Sequence, residues 1–285
     1  MPTAAVSFST GCARSKGPKL PIAARPERQS LTVIDALILF SAGFAGGTVN
    51  AVAGGASFFT FPAMLGVGIP PVAANASNAT ALVPASLVAA WTQRNDLADA
   101  GLRKLPVLAL LSMLAGGAGA VLLLVTSDAA FMVAVPFLLL IATALFAFSP
   151  RLLALMRARR PSQGSGLKLD ASTVAVLTPC LVYGGYFGAG MGIMLLAGFA
   201  VAGLEELRIA NALKNGMSAL VNGVAVAIFV SQGLVVWPAT LAMMAGAALG
   251  GFAGARIARR LPQRPFRFIV IAVGSLLTIW YFIKL

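Results

Sequence analysis

The chain is a succession of apolar runs divided by short polar or basic interruptions. The runs cover roughly 33–53, 56–66, 73–92, 104–125, 130–148, 172–190, 191–203, 207–230, 236–255 and 266–283. A helix needs about 20 apolar residues to cross a bilayer, and seven or eight of the runs meet that length. The runs 56–66 and 191–203 are too short to cross, and each follows a glycine-rich break. The first break reads Ala53-Gly54-Gly55-Ala56-Ser57 and the second Gly188-Ala189-Gly190-Met191-Gly192. Both predict half-helices joined by unwound backbone, which a membrane tolerates only where that backbone is buried or lines a cavity. The pattern predicts an all-α, polytopic transmembrane bundle.

Composition supports this. Of 285 residues, 21 are Lys or Arg, eight are Asp or Glu and none is His. Hydrophobic residues make up 59% and the mean hydropathy is +0.91. A soluble domain carries about a quarter charged residues, so this chain could not cover its surface in water. The net charge of +13 is not read as a nucleic-acid signature, because the cations cluster between apolar runs. Three loops are basic: 93–104, 149–171 and 256–265; loops 67–72, 126–129 and 231–235 hold no Lys or Arg. Even numbers of crossings separate the basic loops, so all three can face the cytoplasm beside anionic lipid. Residues 1–30 are polar, basic and without a signal-peptide core, and are expected to form a disordered tail.

The missing chemistry narrows the function. Without His there is no imidazole base, relay or ligand. Cys12 lies in the tail and Cys180 in an apolar run, so neither a disulfide framework nor a dithiol carrier is built. The eight acids fall in loops or at span ends, whereas cation pumps usually hold a carboxylate at membrane depth. No cofactor, metal or catalytic residue is expected.

An internal repeat emerges when the sequence is compared with itself. A shift of 136 places Gly54 on Gly190 and Ala74-Asn75 on Ala210-Asn211. A shift of 134 places Ser112, Gly116 and Ala120 on Gly246, Gly250 and Gly254. Each half reads as broken hairpin, long span, small-residue span and final span, with loops alternating in opposite order. That predicts two inverted repeats, at 31–150 and 171–285, joined by a cytoplasmic linker at 151–170.

Candidate binding residues follow from the breaks. Gly54, Gly55 and Ser57 in the first and Gly188, Gly190 and Gly192 in the second would let backbone approach a ligand and aim half-helix N-termini at an anion. Tight helix packing is the alternative for these glycines. In 207–230, Asn211, Asn215, Ser218 and Asn222 share one face, with Lys214 beside it. Lys214 lies nearly two turns inside the apolar run, where an ammonium needs a partner. It would meet an anionic substrate, or snorkel to headgroups and pair with Glu205 or Glu206. Asn75 and Asn78, with Ser77 and Thr80, form the first-half counterpart, and Asn50 precedes the first break. Tyr183 and Tyr186 could offer hydroxyls to the second break, with aromatic packing the safer assignment. The series Gly246, Gly250, Gly254 is read as close helix packing.

The stretch Gly43 to Leu65, with Asn50, Gly54, Gly55, Ser57 and Pro62, followed by Gly68-Ile-Pro-Pro71 and Ala74-Asn75-Ala-Ser-Asn78, resembles the sulfite exporter TauE/SafE family. The second break and Ala210-Asn-Ala-Leu-Lys-Asn215 resemble its second half. The likeness covers about 33–283; where this chain has Ala56, members often carry a further glycine. It implies a multi-pass transporter of the bacterial inner membrane, from a family linked to export of sulfite and small organosulfonates. The expected function is secondary transport of a small anion by alternating access at the repeat interface. An anion channel, or an assembly protein without transport, are the alternatives. The expected partners are the anion and the lipid bilayer, with a homo-oligomer left open.

Overall fold

The computed structural model describes residues 31–52, 55–99, 104–159, 169–204, 206–257 and 263–284. In chain order the helices are α1 (Val33–Val52), α2 (Ser57–Gly66), α3 (Pro71–Thr92), α4 (Arg94–Asp99), α5 (Leu105–Val125), α6 (Asp128–Arg159), α7 (Ala171–Tyr186), α8 (Met191–Val201), α9 (Leu207–Ser231), α10 (Trp237–Ile257) and α11 (Gln263–Ile283). No strand occurs among the described residues. The predicted all-α bundle is therefore what forms.

The apolar runs and the helices do not coincide everywhere. Among the described residues five are long and apolar enough to cross a membrane: Val33–Ala51, Pro71–Thr92, Leu105–Val125, Asp128–Phe148 and Arg208–Ser231. The helix α7 has 16 residues, and α10 has 21 and is rich in glycine and alanine. Two further differences have local causes. The helix α6 does not stop at the expected loop but continues to Arg159. The sequence there is rich in Leu, Ala, Met and Arg, all strong helix formers, and cations suit a helix C-terminus. The basic segment after Thr92 also winds into the short α4.

Local chemistry explains the helix ends. Thr32 and Asp35 cap α1 reciprocally: the Asp35 N–H donates to Thr32 Oγ1 (3.2 Å) and the Thr32 N–H to Asp35 Oδ2 (3.1 Å). Asp170 caps α7, accepting from the Thr173 N–H at 2.8 Å. The short helices α2 and α8 end alike. Gly68 (φ +84°) closes α2, with the Ile69 N–H donating to the Met64 carbonyl. Gly203 (φ +84°) closes α8, with the Leu204 N–H donating to the Phe199 carbonyl. Each is a six-to-one bond around a left-handed glycine, the Schellman arrangement.

Packing is reciprocal between the halves. The helix α1 lies along α10, and α5 lies along α7. Likewise α5 touches α9 where α10 touches α3, and α6 touches α8 where α11 touches α2. Small residues make the first pair possible. A Cβ on Gly246 would strike the Phe40 carbonyl, and one on Gly250 the Phe44 carbonyl. On the facing helix, Gly43 and Gly47 sit against the Met243 and Ala247 carbonyls. Across α5 and α7, Gly119 meets the Val182 carbonyl and Gly185 the Gly116 carbonyl. The packing expected of these series is what they do.

One apolar cluster, around Phe58, Phe61, Phe131, Leu139 and Phe229, joins α2, α3, α6 and α11 to α9 and α10. A second, around Leu177, Leu195, Phe199 and Val221, joins α5, α7, α8 and α9. Large apolar side chains such as Val33, Leu114, Phe268 and Ile283 stay exposed, as lipid contact requires. Arg94 stacks on Trp91, Arg256 on Phe252 and Lys284 on Trp280, each within 4.6 Å of the ring centroid.

Polar bonds also gather the loops. The Val72 N–H donates to Asp128 Oδ1 at 2.9 Å, tying the connection after α2 to the one before α6. Arg208 pairs with Asp96 at 2.9 Å, tying the start of α9 to α4. Cation-free loops thus meet at one place, and the basic 93–104 segment meets α9 at another.

Candidate functional site

The second break begins where α7 ends, at Tyr186. Gly188 (φ +81°) and Gly190 (φ +79°) take backbone conformations costly for any residue with a Cβ. The Tyr183 hydroxyl donates to the Ala189 carbonyl at 2.8 Å and lies 3.3 Å from the Leu138 carbonyl, tying the break to α6. Its ring also packs edge-on against Phe187, so this tyrosine has both the roles weighed for it. The helix α8 then starts at Met191, so Gly192 lies in its first turn rather than in unwound chain.

Each end of this break carries a polar side chain from another helix. At the entry, the Asn75 side chain donates to the Tyr186 carbonyl at 2.8 Å. At the exit, Lys214 lies across from Gly192, where a Cβ would come within 3.2 Å of Lys214 Cδ. The Lys214 ammonium donates to Asn211 Oδ1 at 3.2 Å. Of the two acids weighed as its partner, Glu206 bonds Arg208 at 3.4 Å, and Glu205 lies outside the described residues. Lys214 is half-buried, as are Asn215 and Ser218 on the same helix.

The first break is described from Gly55 (φ +91°) onward; Gly54 lies outside the described residues. Phe58, Phe146 and Val270 crowd around Gly55. Ser57 opens α2, and Asn78 donates to its hydroxyl at 3.5 Å. Asn75 and Asn78 are each only 2% exposed, and the carbonyl oxygen of each amide has no partner. Asn50 occupies the last turn of α1 and is exposed.

The two short helices are bounded by left-handed glycines at a constant separation. The left-handed glycines that open them are Gly55 and Gly190, and those that close them are Gly68 and Gly203. Both pairs differ by 135, so Ser57 matches Gly192 rather than Ile193. Across α3 and α9 the separation is 136, because the second connection is one residue longer. Asn78 then matches Lys214. Asn78 lies beside Ser57 and Lys214 beside Gly192, at matching positions of the two short helices. Asn222 donates to Ser86 Oγ at 3.2 Å, and these two residues are also 136 apart.

Three polar contacts between helices escape sequence reasoning. Arg267 donates to the Phe146 carbonyl at 2.7 and 3.0 Å and to the Ala147 carbonyl at 3.0 Å, clamping α11 to α6. Asp96 meets Arg208 across 112 residues, and no periodicity announces it. Ser86 carried one available signal, its placement 136 residues before Asn222.

The described residues thus form a bundle of apolar helices in which two short helices open at left-handed glycines, with buried amides and Lys214 nearby. Comparison agrees: residues 39–281 match the family described as Sulfite exporter TauE/SafE. The chain belongs to that family and is a multi-pass membrane transporter. It is 31% identical over 244 residues to a Haemophilus influenzae protein named "Probable membrane transporter protein", covering 85% of this chain and 92% of that one. It is 28% identical over 249 residues to "Probable membrane transporter protein ORF9" of a Sinorhizobium species, covering 85% and 90%. No solved structure matches.

Proposed function

We propose that the protein is a secondary transporter of a small anion, sulfite or an organosulfonate, in a bacterial inner membrane. The observation that carries this is the second break. The Lys214 stem lies against Gly192 in the first turn of the half-helix α8, its ammonium bonds the uncharged Asn211, and among the described residues no carboxylate is paired with it. A positive helix end and Lys214 together favour a negative ligand.

Transport would proceed by alternating access between two inverted repeats. Support comes from the reciprocal packing of α1 on α10 and α5 on α7, and from the matched closures of α2 and α8. The basic loops would face the cytoplasm. Asn211, Asn215 and Ser218 would complete the anion's hydrogen bonds, with Gly190 and Gly192 giving access to backbone. Ser57, Gly55 and Asn78 would form the matching uncharged half.

The test is flux into liposomes holding the purified chain. Saturable, counterflow-competent uptake of sulfite or a sulfonate supports the reading. Single-channel conductance, or no anion flux, defeats it.

A further inference from the structure

The helix α6 touches both breaks along one face. The Tyr183 hydroxyl, which holds the second break by the Ala189 carbonyl, also lies 3.3 Å from the Leu138 carbonyl. One turn on, Ala142 lies 3.4 Å from where a Cβ on Gly190 would stand. One turn further, the Phe146 ring lies 3.2 Å from where a Cβ on Gly55 would stand. That ring also packs edge-on against Phe58, with centroids 5.9 Å apart. Positions 138, 142 and 146 are spaced by four and so share a face. Where α6 stands therefore sets where both breaks stand.

The sequence withholds one bond from this helix at Phe146. In an α-helix the carbonyl of residue 146 accepts from the N–H of residue 150. Residue 150 is proline, which has no N–H, although α6 runs on to Arg159. Phe146 is buried, and a buried carbonyl needs a donor. The Arg267 guanidinium of α11 brings two to it, Nε at 3.0 Å and Nη2 at 2.7 Å, and Nη2 also reaches the Ala147 carbonyl at 3.0 Å. Two N–H groups on one oxygen use the planar fork of a guanidinium. On the same helix, three residues after Arg267, Val270 closes on Gly55 from α11, 3.0 Å from the same Cβ position. We infer that Arg267 is a positioning residue for the first break: its guanidinium replaces the N–H that Pro150 withholds from Phe146, and through Phe146 and Val270 it holds Gly55 and the start of α2 in place. This hold is independent of which solute is carried.

The experiment is hydrogen–deuterium exchange of the full chain in lipid nanodiscs, without substrate, on the wild type, Arg267→Met, Pro150→Ala and the double variant. Methionine keeps an apolar stem and removes every donor, while alanine at 150 restores the missing N–H. The amides of Phe58, Phe59 and Thr60, which donate to the Gly55 and Ala56 carbonyls, report on the first break. Arg267→Met should speed their exchange at least about tenfold. In the Pro150→Ala background the same substitution should speed it less than about threefold, because the restored N–H occupies the Phe146 carbonyl. Where Arg267→Met alone does not fold, the double variant should fold, for the same reason. Equal acceleration in the two backgrounds overturns the inference, since Arg267 would then act otherwise than through the bond that Pro150 lacks. Unchanged exchange at 58–60 in Arg267→Met, or a double variant that does not fold, overturns it as well.

Discussion

Lys214 lies across the first turn of α8 from Gly192, and the missing side chain of that glycine is what makes room for it. A Cβ there would stand 3.2 Å from Lys214 Cδ and 3.9 Å from Cε. Gly192→Val should push the ammonium off this position and lower anion flux about tenfold or more, since small misplacements at a binding centre are costly. The stability loss should stay within the roughly 1–3 kcal/mol of an overpacked contact. Flux and thermal melting of the detergent-purified variant separate the two effects.

The breaks depend on left-handed glycines. Gly190→Ala forces a Cβ into φ +79°, for about 1–2 kcal/mol. It also sets that Cβ 3.4 Å from Ala142. A lowered melting temperature is expected. Gly66→Ala, a helical position with nothing within 4 Å, is the control and should lose nothing.

The seam between α1 and α10 should be the least tolerant surface. At Gly250 a Cβ would meet the Phe44 backbone, which has no flexible end to move aside. Gly250→Val should separate the helices and remove most folded protein from detergent extracts, measured by size-exclusion chromatography. At Gly251 the nearest atom is the Gly47 carbonyl oxygen at 4.0 Å, and Gly251→Ala should be accepted.

Asp170 supplies an acid-sensitive contact at the start of α7. The Thr173 N–H, then the Ser172 hydroxyl, hold its carboxyl at about 2, below the ordinary 3.8. A depressed carboxylate stabilises the fold above its unfolded pKa, and the effect is lost as pH falls through the folded one. Melting temperature should therefore decline between about pH 4 and pH 2 in the wild type. Asp170→Asn keeps a capping oxygen without the titration, so its profile should be flatter over that window.

How much of this was legible differs by element. The apolar runs located the helices, since a 3.6-residue helix in lipid needs a continuous apolar stretch. Five of these helices qualify as spans by length and hydropathy among the described residues, and α10 is seated by backbone contact at Gly246 and Gly250. The runs missed the extension of α6 to Arg159, where propensity outweighs polarity. The candidate residues came from residue type and spacing, which found Asn75, Asn78 and Lys214. Spacing could not say that Asn75 turns its nitrogen to Tyr186, because that depends on a contact 111 residues away. The pairing of Gly54 with Gly190 lies outside the described residues; among those described, Gly55 and Gly190 share a positive φ.

The most direct test of the account is anion flux through Lys214→Gln in proteoliposomes, beside the wild-type chain. Glutamine, one atom shorter, keeps a hydrogen-bond donor while removing the charge beside the first turn of α8. The account predicts saturable sulfite or sulfonate flux in the wild type, reduced at least about tenfold in the variant, whose melting temperature stays close to wild type. Equal flux in the two proteins would contradict it.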